Sequence, residues 1–183
     1  MAHDLVRACV LSTPRLMVGE WHDVAERWGR DLVDVVCAIL TRATTGALPV
    51  DWQGDFDAER AARWIEVRNA ESPTLLAIDR QTGQPVGLLI LFEEAADDDR
   101  GQLDIRLGYI IAESAWGRGL ASELVGAFVA WALAEPSIVS ITGGVAPGND
   151  ASIRVLRKNG FHRSESGADE DVYRLMLHEG SSP

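Results

Sequence analysis

The chain has 183 residues, of which 46% are hydrophobic and 25% charged, values typical of one globular domain with a substantial core. The formal net charge of −11 argues against nucleic acid as a partner, because binding to phosphates depends on cations. It weakly favours a cationic substrate such as an amine, although acidic residues also simply maintain solubility. No apolar run reaches the roughly 20 residues that span a bilayer, and the first residues lack the pattern of a secretory signal. We expect a single domain over residues 1–183, located in the cytoplasm and without a membrane partner.

The cysteines and histidines form no recognisable metal or disulfide pattern. Cys9 and Cys37 lie far apart among apolar residues, and the four histidines are scattered along the chain. Free cysteine among apolar neighbours is usually packed in a core. Packing is therefore the expected role of both cysteines, and no metal site is predicted.

The first half of the chain is predicted to begin with a strand and continue with two helices. Residues 13–18 have the composition of a strand, and an apolar stripe over residues 21–42 predicts a long helix. Glycine, proline and polar residues over 44–54 predict a loop. Residues 57–69 then form the second predicted helix.

The second half alternates strands with helices. Residues 75–78 form a strand, 81–84 a hairpin connection, and 86–92 a continuously apolar strand of the kind that is covered on both faces. An acidic turn over 93–99 leads to a strand over 103–112. The remaining elements are a helix over 117–134, a strand over 138–145, a helix over 149–159 and a hairpin of strands 161–163 and 171–177. This order predicts an α/β protein with a mixed sheet and helices on both faces.

A glycine-containing segment joins the strand over 103–112 to the following helix. It reads Trp116-Gly117-Arg118-Gly119-Leu120-Ala121. The first N–H groups of a helix are unpaired and carry partial positive charge, and glycines allow a phosphate to approach them. The segment is either a cradle for a pyrophosphate or an ordinary tight turn between a strand and a helix.

A second segment, at the start of the helix over 149–159, also has two interpretations. Asn149 is a good helix cap, Ser152 follows three residues later, and Gly160 is a good helix stop. These structural roles are sufficient to explain the segment. A role in ligand binding is the alternative.

Together, the two segments resemble the GCN5-related N-acetyltransferases, and within them most closely the branch that acetylates the N-termini of ribosomal proteins. That branch has a (Gln/Arg/Trp)-x-x-Gly-x-(Gly/Ala) turn, matched by Trp116, Gly119 and Ala121. Its later Asn-x-x-Ser and Lys-x-Gly-Phe motifs are matched by Asn149, Ser152, Lys158, Gly160 and Phe161. The segment Thr13-Pro14-Arg15-Leu16 resembles the opening strand of the branch, whereas residues 21–70 match it poorly.

The resemblance implies a central mixed sheet of six to seven strands, with a splay between the fourth and fifth strands that holds the pantetheine arm of acetyl-CoA. The pyrophosphate is expected on the backbone amides of residues 117–122, where the Arg118 side chain either adds charge or is solvated. A backbone N–H near Ile111 is expected to polarise the thioester carbonyl. The residues implied to bind the cofactor are Tyr109, Ile110, Ile111, Trp116, Gly117, Arg118, Gly119, Leu120, Ala121, Ser122, Asn149 and Ser152.

The implied reaction is transfer of an acetyl group from acetyl-CoA to a primary amine, by direct attack of the amine in a ternary complex. Many relatives place a glutamate base where this sequence has Arg106. Asp104 is then the candidate base, or else a surface carboxylate paired with Arg106. Many relatives also have a tyrosine acid on the later helix, which is missing here, so Ser152 is the candidate acid unless it serves only the cap.

The acceptor is the least defined part of the prediction. Three tryptophans, Trp21, Trp28 and Trp52, either wall an acceptor pocket or pack in the core, and Glu20, Asp51, Asp55 and Asp57 are candidates for attracting an amine. Without a strong base, an α-amine with a pKa of about 8 suits the site better than a lysine. The alternatives are a small-molecule amine, a longer acyl chain, or a non-catalytic CoA-binding module. A homodimer formed along a strand edge after Leu177 is also possible on sequence grounds.

Overall fold

Eight strands of the described residues form one mixed sheet in the computed structural model, which describes residues 3–96 and 101–178. The strands are β1 (Leu11–Ser12), β2 (Leu16–Glu20), β3 (Thr74–Asp79), β4 (Pro85–Ala95), β5 (Leu103–Ile111), β6 (Ile138–Val145), β7 (His162–Ser166) and β8 (Asp171–Met176). The helices are α1 (His3–Arg7), α2 (Trp21–Arg27), α3 (Leu32–Ile39), α4 (Arg42–Thr45), α5 (Ala58–Glu71), α6 (Leu120–Leu133) and α7 (Asp150–Lys158), with short 3₁₀ helices at Val50–Trp52 and Glu113–Ala115.

The order of strands across the sheet is β1-β2-β3-β4-β5-β6-β8-β7. Every neighbouring pair is antiparallel except β5 and β6, which are parallel. Residues 103–106 of β5 pair with residues 138–142 of β6, and the two strands are not paired beyond that point. The predicted α/β fold and the splay between these strands are therefore confirmed. The sheet has eight strands rather than six to seven, because the two-residue β1 pairs with β2 ahead of it.

The first third of the chain differs most from the prediction. The predicted strand over 13–18 starts later, since residues 13–15 turn between β1 and β2. The predicted helix over 21–42 is two helices, because Gly29 adopts a φ of 60° and the Asp31 carboxylate caps α3. The predicted loop over 44–54 contains the end of α4 and a 3₁₀ helix. The predicted acidic turn over 93–99 begins as the end of β4, and its residues 97–99 lie outside the described residues.

The core lies on both sides of the central strands. All six residues of β3 are buried, and so are residues 86–91 of β4, which requires cover on both faces of the sheet. Helix α6 contributes Leu120, Leu124 and Phe128, each almost fully buried. Cys9 is also fully buried, and this burial, with a smaller contribution from Glu135, raises its pKa to about 12. Such a thiol packs as a small apolar group.

The end of the sheet differs from the edge expected for a homodimer. Strand β8 is bonded to β6 on one side and to β7 on the other, so the segment before Leu177 has no free edge. The edge belongs instead to β7, whose five residues are all exposed. Within the described part of the chain, no helix combines the length and apolar composition of a bilayer span. No group of three or more His, Cys, Asp or Glu in residues 3–96 and 101–178 is arranged to hold a metal ion.

Gly87 of β4 has no room for a side chain next to β5. A Cβ added there would lie well under 3.0 Å from the Ile110 carbonyl oxygen, which is backbone and cannot move aside. Gly87→Ala should therefore lower the free energy of unfolding by about 2 kcal/mol, measured by urea denaturation. Gly108→Ala is the matched control, because the nearest atom to its added Cβ is 3.7 Å away. Equal stability of the two variants would contradict this prediction.

Candidate active site

A cavity of about 630 Å³ opens where β5 ends and α6 begins, with α7 and the α4 region as its other walls. Every residue that the resemblance implies for cofactor binding lines this cavity except Arg118. The lining residues are Ala43, Thr44, Ala47, Leu48, Tyr109, Ile110, Ile111, Ala115, Trp116, Gly117, Gly119, Leu120, Ala121, Ser122, Asn149, Ala151, Ser152, Arg154, Val155 and Lys158. The fold thus brings the two sequence motifs together around one space.

The glycine segment forms the wall of the cavity at the start of α6. Gly117 and Gly119 have φ values of 71° and 74°, a left-handed conformation that glycine adopts without strain. Gly119 is the N-cap of α6, and no side chain accepts a hydrogen bond from the first turn. The Trp116 indole N–H donates to the Ile111 carbonyl at 2.9 Å, which ties the turn to the end of β5. The first-turn amides therefore lack side-chain acceptors and border the cavity, an arrangement suited to an anion.

The segment Thr13-Pro14-Arg15 holds the glycine segment from outside the cavity. The Arg15 guanidinium donates to the Arg118 carbonyl at 2.8 Å and pairs with the Glu123 carboxylate at 2.5 Å. The Thr13 hydroxyl donates to the other oxygen of Glu123 at 2.5 Å. Burial raises the pKa of Glu123, but the hydrogen bonds from Thr13 and Arg15 outweigh it and the pKa is lowered. These contacts fix the first turn of α6 relative to β2.

Arg118 points away from the cavity. Its guanidinium pairs with the buried Asp79 carboxylate at 2.7 Å, and the Gln81 and Thr82 amides donate to the same carboxylate. The hydrogen bond from Arg118 is the main cause that lowers the pKa of Asp79. The side chain is absent from the cavity wall, and 47% of it remains exposed, so of the two sequence interpretations the solvated arginine is the nearer one. Its charge is used to anchor the turn to the β3–β4 hairpin.

The hydroxyls of Tyr109 and Ser152 belong to two of the polar side chains that line the cavity. The Tyr109 hydroxyl is buried next to that of Ser152 but makes no hydrogen bond of ordinary geometry with any described residue. Burial raises the pKa of Tyr109 above its usual value, opposed in part by Ser152. Asn149 accepts a hydrogen bond from the Ser152 amide at 3.2 Å, so the expected cap of α7 is present. Tyr109 was expected to bind the cofactor, but no role for its hydroxyl was predicted from the sequence.

Asp104 lies outside the cavity. It sits in the paired part of β5 opposite Ser140, whose hydroxyl donates to the Asp104 carboxylate. Arg106 pairs with Glu170 at 2.6 Å rather than with Asp104, so the alternative pairing expected from the sequence is wrong. The structure therefore does not bring Asp104 to the residues around the splay.

Of the two roles considered for Trp21, Trp28 and Trp52, the structure shows packing with the core. Trp21 and Trp52 each lie edge-on to Trp64, with ring centroids 5.9 and 5.3 Å away, and Trp28 covers Gly83. None of them lines the cavity. The candidate acids are used locally as well: Glu20 caps α2, Asp57 caps α5, Asp55 accepts from the Arg42 amide, and Asp51 is not in the cavity wall either. The wall on that side comes instead from residues 43–48.

Two cations of α7 line the cavity and were not predicted. Arg154 and Lys158 are four residues apart, so they lie on the same face of the helix, one turn from each other. Ala151 and Val155 share this face. The interval of four residues between Arg154 and Lys158 is a signal that the sequence contains. Lys158 was noted only as part of a motif.

The comparisons with known proteins agree with this arrangement. Residues 26–162 match the family model of the acetyltransferase (GNAT) domain. An acetyltransferase of the GNAT family from Bacillus anthracis has the same fold, with a TM-score of 0.72, 17% identity, and coverage of 93% of this chain and 100% of that one. An aminoglycoside acetyltransferase crystallised with coenzyme A has a TM-score of 0.63 at 20% identity, covering 88% of this chain and 93% of that one.

The family model and the similar solved structures point to one class of protein, the acetyltransferases with a GNAT domain. The chain is a member of the GNAT acetyltransferase domain family, which is a family of transferase enzymes. It is also 31% identical over 91 residues to the uncharacterized protein YkkB of Bacillus subtilis strain 168, a match that spans 50% of this chain and 51% of YkkB. The comparisons identify the family and leave its ribosomal-protein branch unassigned.

The Arg118–Asp79 pair should make stability depend on acid pH. Because the pKa of Asp79 is lower in the folded than in the unfolded chain, its contribution is complete above the ordinary value near 4 and is lost as the pH falls through the lowered value. Asp79→Asn should therefore destabilise the protein near neutral pH and lose less stability on acidification. The measurement is urea unfolding from about pH 6 to about pH 3.

The matched control for Asp79→Asn is Asp51→Asn, which makes the same chemical change at an exposed carboxylate. The control should follow the wild-type pH dependence. If Asp79→Asn and the wild type lost stability in parallel, the pair would not have the energetic role assigned to it.

Proposed function

We propose that this protein is an N-acetyltransferase that moves the acetyl group of acetyl-CoA to a primary amine, and preferentially to an α-amine. One observation carries the proposal: the amides at the start of α6, framed by two left-handed glycines, open into the same cavity as the unpaired end of β5. Acetyl-CoA needs both features: the anion site for its pyrophosphate and the unpaired strand edge for its pantetheine arm. We propose residues 1–183 as one acyltransferase domain.

The cavity wall offers the donor open space and backbone donors. A Cβ placed on Gly117 would meet no atom within 4 Å, so the turn leaves open space for phosphate oxygens next to the amides of residues 117–122. Tyr109, Ile110 and Ile111 would lie along the pantetheine arm, with Asn149 and Ser152 opposite. A backbone N–H near Ile111 would polarise the thioester carbonyl as charge develops on its oxygen.

Tyr109 is the proton donor in this proposal, together with Ser152. The amine nitrogen attacks the thioester carbon, the carbon–sulfur bond breaks, and the departing sulfur takes the proton of the Tyr109 hydroxyl. The phenolate recovers a proton that the nitrogen loses, passed through water or Ser152. Burial, which raises the pKa of Tyr109, favours the protonated form that an acid requires.

The lining of the cavity supports an α-amine as acceptor. None of the lining residues carries a carboxylate, so neither a strong base nor an anionic site for a polycation is provided by the wall. Near pH 7, roughly a tenth of an α-amine is neutral, compared with about one part in a thousand or less of a lysine amine. Ala43, Ala47 and Leu48 offer small apolar surfaces to the residue that carries the amine. A polypeptide N-terminus therefore fits better than an aminoglycoside or a polyamine.

The branch that modifies ribosomal-protein N-termini is the proposed place of this chain within the family. A cytoplasmic location and the absence of nucleic-acid partners stay predictions from the sequence. A homodimer also stays a prediction, with the exposed β7 as the available edge.

Release of free thiol from acetyl-CoA in the presence of N-terminal peptides tests the proposed reaction. The wild type should release thiol, and Gly119→Trp should bind acetyl-CoA at least about 100-fold more weakly because the indole fills the space before the α6 amides. Gly101→Trp is the matched control: its φ is 70° with no atom within 4 Å of an added Cβ, and the residue is absent from the cavity wall. Binding is measured by calorimetry.

Other outcomes of this assay would select the alternatives. Binding of CoA without thiol release would indicate a non-catalytic module, and faster turnover with longer acyl-CoA thioesters would indicate a larger acyl donor. Unchanged affinity in Gly119→Trp would contradict the position proposed for the phosphates.

Tyr109→Phe should lower kcat by about 100-fold while the KM for acetyl-CoA changes little, because the variant removes only the proton donor. Tyr173→Phe is the matched control, since Tyr173 is the other tyrosine of the chain and is buried on β8 away from the cavity wall. Asp104→Asn should also keep the wild-type kcat. A Tyr109→Phe enzyme as fast as the control would assign the proton transfer to water.

A further inference from the structure

We infer that Arg154 and Lys158 form a cationic rim that binds phosphate groups of the donor and makes the site selective for CoA thioesters over phosphate-poor pantetheine thioesters. The inference rests on the proposed function and adds the recognition of the donor's nucleotide end. Neither residue belongs to the glycine segment, and both come from α7, which forms another part of the cavity wall.

The contacts between α6 and α7 put this rim beside the anion site. The Asn159 amide group, one residue after Lys158, donates to the Ser122 carbonyl at 3.2 Å and to the Val155 carbonyl at 2.9 Å. The C-terminal end of α7 is thus fixed against the first turn of α6. Lys158 is the cation nearest that contact along the chain, and Arg154 follows one turn towards Asn149.

Both side chains are available for a ligand. Arg154 and Lys158 are exposed, and neither forms an ion pair or a side-chain hydrogen bond with any residue in the described part of the chain. The two cations closest in sequence to the glycine segment are already neutralised, since Arg15 is paired with Glu123 and Arg118 with Asp79. The rim therefore holds the cationic side chains of the cavity wall.

The overall charge of the chain opposes the approach of an anionic donor. The chain has a formal net charge of −11, which repels a donor that carries a pyrophosphate and a phosphate monoester, the latter with up to about two negative charges near neutral pH. The α6 N-terminus supplies only about half a positive charge. Two exposed cations at the same opening offset the repulsion locally and attract the polyanionic end of the donor.

Arg157 provides a matched control on the same helix. It lies next to Lys158 in sequence, but its guanidinium is 5.9 Å from the ring of Tyr173 and it is absent from the cavity wall. A change of Arg157 to glutamine therefore removes one charge from α7 without removing it from the rim. An effect that arises only from the net charge of α7 would appear when any of Arg154, Arg157 and Lys158 is changed to glutamine.

The experiment compares three donors with the full-length protein: acetyl-CoA, acetyl-dephospho-CoA, which lacks the 3′-phosphate, and acetyl-pantetheine, which lacks all phosphates. The double variant Arg154→Gln/Lys158→Gln should bind acetyl-CoA about 30-fold more weakly than the wild type, with a shallower dependence on salt. Its kcat/KM for acetyl-pantetheine and its kcat at saturating acetyl-CoA should remain unchanged. Arg157→Gln should behave as the wild type.

The outcomes separate the inference from the function on which it rests. If the wild type fails to bind acetyl-CoA, the proposed function is overturned together with the rim. If the wild type binds and turns over acetyl-CoA but the double variant has the same affinity, only the rim is overturned. An equal loss with acetyl-pantetheine would also overturn it, because that donor has no phosphate for the two cations to bind.

Discussion

The end of pairing between β5 and β6 is the constraint on which the site depends. Parallel strands normally continue side by side, but here the ladder stops at residues 106 and 142. Two glycines of β6 follow the end of the ladder: a Cβ added to Gly143 would lie 3.3 Å from Leu156 of α7, and one added to Gly144 would meet the paired side chains of Arg106 and Glu170. A larger residue at either glycine would therefore collide with these side chains. The gap beyond the ladder is bordered by α7, which also carries the cations and the hydroxyl of Ser152.

The arginine side chains around the glycine segment are paired with carboxylates, whereas the backbone amides of the segment have no side-chain partner among the residues that the structure describes. Arg15 holds the Arg118 carbonyl and Asp79 holds the Arg118 guanidinium, and both contacts lie outside the cavity wall. A carboxylate partner accompanies each arginine, so the acidic chain uses part of its negative charge to fix the turn. Affinity for an anion is then supplied by backbone groups, whose direction is set by the fold.

Much of the fold and part of the site were predictable from the sequence because they depend on local patterns. The apolar stripe of α6, the buried run of β4 and the cap of α7 at Asn149 each follow from residues close in the chain. The position of the glycine segment between β5 and α6 was predictable for the same reason. What was missed depends on contacts between distant residues: Arg118 meets Asp79 across 39 positions, and Arg106 meets Glu170 across 64. No local pattern predicts such partners.

The position of β8 between β6 and β7 has a consequence for the order of folding. Strand β7 comes first in the chain, yet it is bonded only to β8, so it has no partner in the sheet until β8 arrives. The same holds for the outer side of β6, which pairs with β8. During synthesis the ribosome therefore releases α7 before the sheet beneath it is closed. The wall of the cavity should become rigid only in a late, long-range step of folding.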